Sequence, residues 1–286
     1  MDRGEIRFGP AGNGEGFAAA GHKKTLEAPD YVRSLGLTAY EYQCGRGVRI
    51  KEEAAQEFGE RARAAGIMLS LHAPYYISLS GAEEEKRLGS LRYIRESAAA
   101  ALAMGADRVI VHSGSCAKMG REAALELAKD TLRRALCDLQ ENGLAGVSLC
   151  PETMGKVNQL GTLAEVLELC KLDESLIPCI DFGHLNARTQ GGITGAVSYR
   201  EILDEMENAL GRDRAAVFHS HFSKIEYTKS GEKRHLTFAD ELYGPMFEPL
   251  AEELYRRGYT PTIICESAGT QDVDAQWMKQ YFESLR

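Results

Sequence analysis

Residues 108–152 read "RVIVHSGSCAKMGREAALELAKDTLRRALCDLQENGLAGVSLCPE". A short apolar run, 108–112, leads into a segment of helical period, 121–142, and the chain returns to a second apolar run, 147–152. Gly143 stands just past the helix, where a left-handed residue closes the last turn. Near-continuous apolar strands joined by a helix are what a parallel pair buried on both faces requires. Outward from this unit the same alternation recurs. Strands are predicted at 5–9, 39–43, 67–72, 176–181, 216–221 and 262–266. Helices are predicted at 51–65, 83–104, 163–171, 199–210, 239–257 and 273–284, with Gly66, Gly105 and Gly258 just beyond three of them. Eight such strands without a composition break or linker predict an α/β chain folded as a single (β/α)8 TIM barrel over residues 1–286. A doubly wound open sheet is the alternative. Its phosphate loop is not expected, because the glycine-rich "GPAGNGEG" (9–16) leads into no immediate helix.

The composition, 44% hydrophobic and 27% charged over 286 residues, excludes disorder and fibrous repeats. Net charge of −8 argues against a passive basic groove for nucleic acid. It does not exclude a nucleic-acid substrate, because bound divalent cations invert the field of an acidic site. The seven cysteines are scattered without a C-x-x-C pair, so a reducing cytoplasm fits better than a disulfide framework or zinc finger. The N-terminal segment has no apolar signal region. The longest apolar stretch, 98–104, falls far short of the roughly 20 residues that span a bilayer. A cytoplasmic protein with no membrane association and no obligate protein partner is expected.

One polar residue ends almost every strand. His72, His112, Glu152, Asp181, His219 and Glu266 fall at the C-terminal ends of six of the eight, where barrels of this type carry their active sites. Imidazole and carboxylate together suit zinc, manganese or iron. Taken singly, each has a plainer reading: a strand-end histidine is usually a hydrogen-bonded loop residue, and Asp181 would cap the next helix. Those readings would have to hold independently at six strands. His184 lies three residues beyond Asp181, in the turn. His22 has no such company and is read as surface; Tyr75 and Tyr76 could be plain rim packing.

The motifs "SLHAPYYISL" (70–79), "VIVHSGS" (109–115), "PETMGKVNQLG" (151–161), "PCIDFGHLNA" (178–187), "FHSHFSK" (218–224) and "IICES" (263–267) occur in that order. Together they resemble the successive motifs of the endonuclease IV family, zinc-dependent apurinic/apyrimidinic endonucleases of the xylose-isomerase-like barrel superfamily. The resemblance spans residues 7–266. It implies a metal-dependent phosphodiesterase acting 5′ to abasic sites in duplex DNA. It also implies that His72 and His112 hold one zinc and that Glu152, the catalytic carboxylate, bridges it to a second completed by Asp181, His219 and Glu266. His184 and His235 would belong to a third, weaker zinc, and manganese is a possible replacement. The family's third site uses an Asp-x-His pair. This chain has Lys233 at the Asp position, and a protonated ammonium cannot ligate. Glu232 or the extra histidine His221 would have to substitute, with Lys233 turned outward, or the third ion would be lost. By the same resemblance Tyr75 and Tyr76 match a wedge loop that enters DNA, and Arg46 and Arg49 would contact its backbone. Two rivals remain: a metal-dependent sugar isomerase or epimerase of the same superfamily, and a DNA-damage binder that has lost cleavage.

Overall fold

Among the described residues ten strands carry the architecture: β1 (Arg7–Pro10), β2 (Ala39–Gln43), β3 (Met68–His72), β4 (Arg108–His112), β5 (Ser148–Glu152), β6 (Cys179–Asp181), β7 (His219–Phe222), β8 (Ile225–Thr228), β9 (Gly231–His235) and β10 (Thr262–Cys265). They come from a computed structural model that describes residues 5–116 and 119–286; the first four residues of the N-terminal signal reading lie outside it. Eight strands pair in parallel in the order β2-β3-β4-β5-β6-β7-β10-β1. A parallel bridge between Ala11 and Glu41 brings β1 back beside β2, nearly closing the ring. This is the α/β TIM barrel that the alternation predicts. β8 and β9 form a separate antiparallel hairpin between β7 and the next helix.

Local chemistry sets the helix ends. Gly66, Gly105, Gly143 and Gly258 all take left-handed backbone just past their helices. Thr162 and Glu165 form a reciprocal capping box on the helix Leu163–Cys170, and Arg121 grips the same Glu165 carboxylate at 2.7 Å with both Nε and Nη2. Val109, Val111, Leu149, Ile180 and Ile263 are wholly buried on the outer face of the ring, under the helices, whereas Ile110, Cys150 and Cys179 form a small apolar layer inside it. All seven cysteines are free thiols, six of them buried. Among the described residues no helix is long and apolar enough to cross a membrane.

Several boundaries depart from the sequence reading. The helix expected over 239–257 occupies only Glu248–Arg257, because Gly244-Pro245 interrupts it and a proline sits in its first turn. The strand expected at 216–221 begins only at His219, since Ala215 and Ala216 still belong to a short helix and its cap. A five-residue helix, Glu15–Ala19, does follow the glycine-rich loop, but it leads to no nucleotide-type sheet.

Candidate metal centre

β3, β4, β5 and β6 end on His72, His112, Glu152 and Asp181, so four side chains meet at one mouth of the barrel. Glu266 follows β10 directly. Glu152 is central and buried. Its Oε2 lies 3.4 Å from His72 Nε2 and 3.2 Å from His112 Nε2; its Oε1 lies 2.9 Å from His221 Nδ1 and 3.4 Å from His184 Nδ1. Asp181 does what a plain cap does: Oδ1 accepts the His184 backbone N–H at 2.7 Å, starting the helix Phe182–Arg188. Its Oδ2 is buried without a hydrogen bond, 3.1 Å from His184 Nδ1.

Among the overlapping donor groups whose ligand atoms lie within 4.8 Å of one another, three carry the site: His72, His112 and Glu152; Glu152, Asp181, His221 and Glu266; and His184, Glu232 and His235; His72, His221 and Glu266 form a further overlapping group across the first two. The first two share Glu152. Among the described residues no Lys or Arg pairs with Glu152, Asp181 or Glu266. Carboxylates gathered in low dielectric without a cation are costly, and the donor set fits divalent ions of the zinc or manganese class. Burial and the neighbouring Asp181 and Glu152 carboxylates push the Glu266 pKa up, as expected of a site short of positive charge.

His219 stands elsewhere. Register places it level with Cys179 and Thr262, whereas His221 is level with Asp181 and Ile264, one layer nearer the mouth. Both rings face the barrel interior, two residues apart on one strand. His219 Nε2 reaches Glu41 Oε2 at 2.9 Å, and burial lowers its pKa to about 4. His221 therefore occupies the place beside Asp181 and Glu266 that the resemblance implied for His219. A deeper trio of Cys179, His219 and His221 also comes together, but burial pushes the Cys179 thiol well above its usual pKa, so it stays protonated.

The hairpin supplies the third group. On a regular strand Glu232 and His235, three apart, would face opposite ways. The pairing slips by one residue between Glu226↔Arg234 and Tyr227↔Glu232, leaving Lys233 as the extra residue. The bulge restores the phase: Glu232 Oε2 faces His184 Nε2 at 3.4 Å, and its Oε1 lies 3.9 Å from His235 Nε2. Lys233 turns outward to pair with Glu226 at 2.5 Å. Glu232, His235 and His184 of the earlier helix Phe182–Arg188 thus stand together without a lysine among them.

His72, His112, Glu152, His184, Glu232, His235 and Glu266 line an open cleft of about 470 Å³ together with Gln43 and Lys156. Tyr75 and Tyr76 stand on its rim, 50% and 48% exposed, with ring centroids 4.5 Å apart. The Tyr75 N–H donates to Gly45 O at 3.1 Å, which ties the rim to the loop carrying Arg46. His22 packs against Phe17 and Tyr31, far from this company in the contacts it makes.

Protonation bears on metal uptake. Burial alone would lower the His72 pKa, but the Glu152 carboxylate, backed by Glu41, raises it to about 9. In the metal-free protein at pH 7 His72 therefore carries a proton that an incoming ion must displace. Apparent zinc affinity is expected to rise with pH between 7 and 9, by about tenfold per unit for each proton displaced. Calorimetric titration in two buffers of different ionisation enthalpy measures the release. Uptake at pH 7 without proton release would contradict it.

A barrel with mixed histidine and carboxylate ligands at the strand ends defines a class, and comparison with known proteins places the chain within it. The model of the family described as "Xylose isomerase-like TIM barrel" matches residues 29–286, and the chain belongs to that family. An uncharacterised protein of Methanocaldococcus jannaschii is 35% identical over 90% of this chain and 92% of its own length. A probable endonuclease 4 of Shouchella clausii is 24% identical over 74% of each chain. Among solved structures, endonuclease IV of Thermus thermophilus superposes with a TM-score of 0.65 at 24% identity, covering 91% of this chain and 94% of its own. A D-tagatose 3-epimerase-like protein superposes at 0.68 with 18% identity, covering 87% and 89%. Both likenesses describe the fold.

Proposed function

We propose that this chain is a metal-dependent endonuclease that hydrolyses the phosphodiester 5′ to abasic sites in duplex DNA, with zinc or manganese at its centre. The observation that carries this reading is the set of three adjoining donor groups, two of them sharing Glu152. Ions bound there would supply a hydroxide nucleophile at neutral pH and neutralise charge on a phosphodiester. Glu152 would serve the first two positions, with His72 and His112 at the first and Asp181, His221 and Glu266 at the second. His184, Glu232 and His235 would hold a third. Tyr75 and Tyr76 offer exposed rings beside the cleft for the space left by a missing base, where less stacking must be broken. Arg46, in the adjoining loop, would meet the DNA backbone. The relatives named endonuclease 4 support the reading.

The epimerase-like neighbour keeps a second reading in view: metal-dependent isomerisation or epimerisation of a small sugar. The test uses a duplex with one tetrahydrofuran abasic analogue and an intact duplex, each incubated with zinc- or manganese-loaded protein. A single nick with a 3′-hydroxyl on the abasic duplex only, abolished by prolonged chelation, is expected. Turnover of a ketose without nicking would transfer the site to the sugar reading.

A further inference from the structure

Three of the converging imidazoles are held by Nδ1. His72 Nδ1 lies 2.9 Å from Ala73 O, His184 Nδ1 2.9 Å from Thr153 O, and His235 Nδ1 2.9 Å from Ser223 Oγ. Each ring thereby turns Nε2 toward a carboxylate of the cluster, Glu152 for His72 and Glu232 for His184 and His235, while His184 Nδ1 also lies 3.1 Å from Asp181 Oδ2 and 3.4 Å from Glu152 Oε1. His221 is mounted the other way round. Its Nδ1 faces Glu152 Oε1 at 2.9 Å and Glu266 Oε1 at 3.6 Å, while its Nε2 points down the barrel to Glu41 Oε1 at 3.0 Å.

Glu41 is wholly buried in the middle of β2, between Tyr40 and Tyr42, whose rings pack outward on Phe58. Among the described residues no Lys or Arg pairs with it; its ion pairs are to His219 and His221. Both oxygens are occupied from both sides. His219 Nε2 and Ser70 Oγ each approach Oε2 at 2.9 Å, and Gln43 Nε2 donates to Oε1 at 3.0 Å beside His221. A buried carboxylate is expensive unless it is well partnered, and here His219, Ser70 and Gln43 hydrogen-bond it while His221 Nε2 stands 3.0 Å away as a further charge partner.

We propose that Glu41 is the positioning residue for His221: its carboxylate, 3.0 Å from Nε2, keeps the ring proton on Nε2 and so favours the tautomer whose Nδ1 lone pair faces the position shared with Asp181, Glu152 and Glu266. An outer carboxylate of this kind orients a ligating imidazole and raises its basicity. Ser70, Gln43 and His219 fix the carboxylate in turn. The role rests on the metal reading of the site. Glu41→Gln keeps the shape but replaces one acceptor oxygen with an NH2 donor. Either the His219–Ser70 side or the His221–Gln43 side then loses its acceptor.

The test is zinc competition against a chromophoric chelator with metal-free wild type and E41Q, accompanied by thermal melts of both metal-free proteins. One equivalent is expected to weaken by about 10- to 100-fold in E41Q, with the other equivalents and the metal-free melt close to wild type. If E41Q does not fold, E41D replaces it; that variant keeps the charge but withdraws it from His221 by one methylene, and the same single-equivalent loss is expected. Unchanged affinities at every equivalent would overturn the assignment while leaving the metal reading intact. Uniform weakening of every equivalent with a lowered metal-free melt would also overturn it, as general damage. Wild type that takes up no zinc would overturn the metal reading and this role together.

Discussion

Glu152→Gln is expected to leave abasic-duplex cleavage at least about 1,000-fold below wild type, roughly 4 kcal/mol of transition-state stabilisation. The size follows from where the carboxylate stands. Glu152 belongs to two donor groups at once, and four imidazoles, those of His72, His112, His184 and His221, approach its two oxygens within 2.9–3.4 Å. An amide offers one weaker oxygen and turns an NH2 toward rings that must stay unprotonated to ligate. Fold loss does not account for the effect, because the apolar barrel core lies behind the site and the substitution preserves volume. An independent sign accompanies the activity loss. Glu152 is the main group holding the His72 pKa up at about 9 against burial, so in metal-free E152Q that pKa should fall. Ring-proton NMR of the metal-free variant reads this without any substrate. Cleavage near the wild-type rate would sink the metal-centred mechanism.

The ring of candidate donors was legible only as far as strand ends were. His72, His112, Glu152 and Asp181 each close a strand on the residue where the apolar run stops, and the structure ends the strands there. "AVFHSHFSK" has no such stop: two histidines lie on one face of one run, and their depth is set by register. The pairing of His221 with Asp181 and Ile264 decides it, and pairing between distant strands has no local signature. The third group was hidden for a different reason. Glu232 and His235 share a face only through the bulge at Lys233, which alternation alone would forbid. Glu41 did have a signal, a lone charge flanked by tyrosines inside an apolar strand, where burial without a partner is rare. The overlong helix at 239–257 ignored Gly244-Pro245, a readable break.

Gly9→Ala is expected to destabilise the fold by about 3 kcal/mol or more, and the reason lies at the seam of the barrel. A Cβ at Gly9 would sit 1.8 Å from Ala39 O and 2.3 Å from Ala39 C, backbone atoms of β2 that no rotamer change can move aside. β1 and β2 meet through few bonds: Thr38 N–H to Phe8 O at 3.0 Å, Gly12 N–H to Glu41 O at 2.9 Å, and the Ala11–Glu41 bridge. Relief of the clash must part the two strands where the ring is least bonded. Gly89 gives the opposite expectation. It is exposed within the helix Glu84–Met104, and an added Cβ meets nothing within 4 Å, so Gly89→Ala should stabilise by roughly 0.5–1 kcal/mol. The seam also carries Glu41, so any G9A protein that still folds should show weakened zinc binding, because β2 moves with its carboxylate. Denaturant unfolding of the two variants beside wild type, at equal and chelated metal, separates the signs. A G9A midpoint equal to wild type would mean that β1 does not press on β2 as closely as the barrel's closure demands.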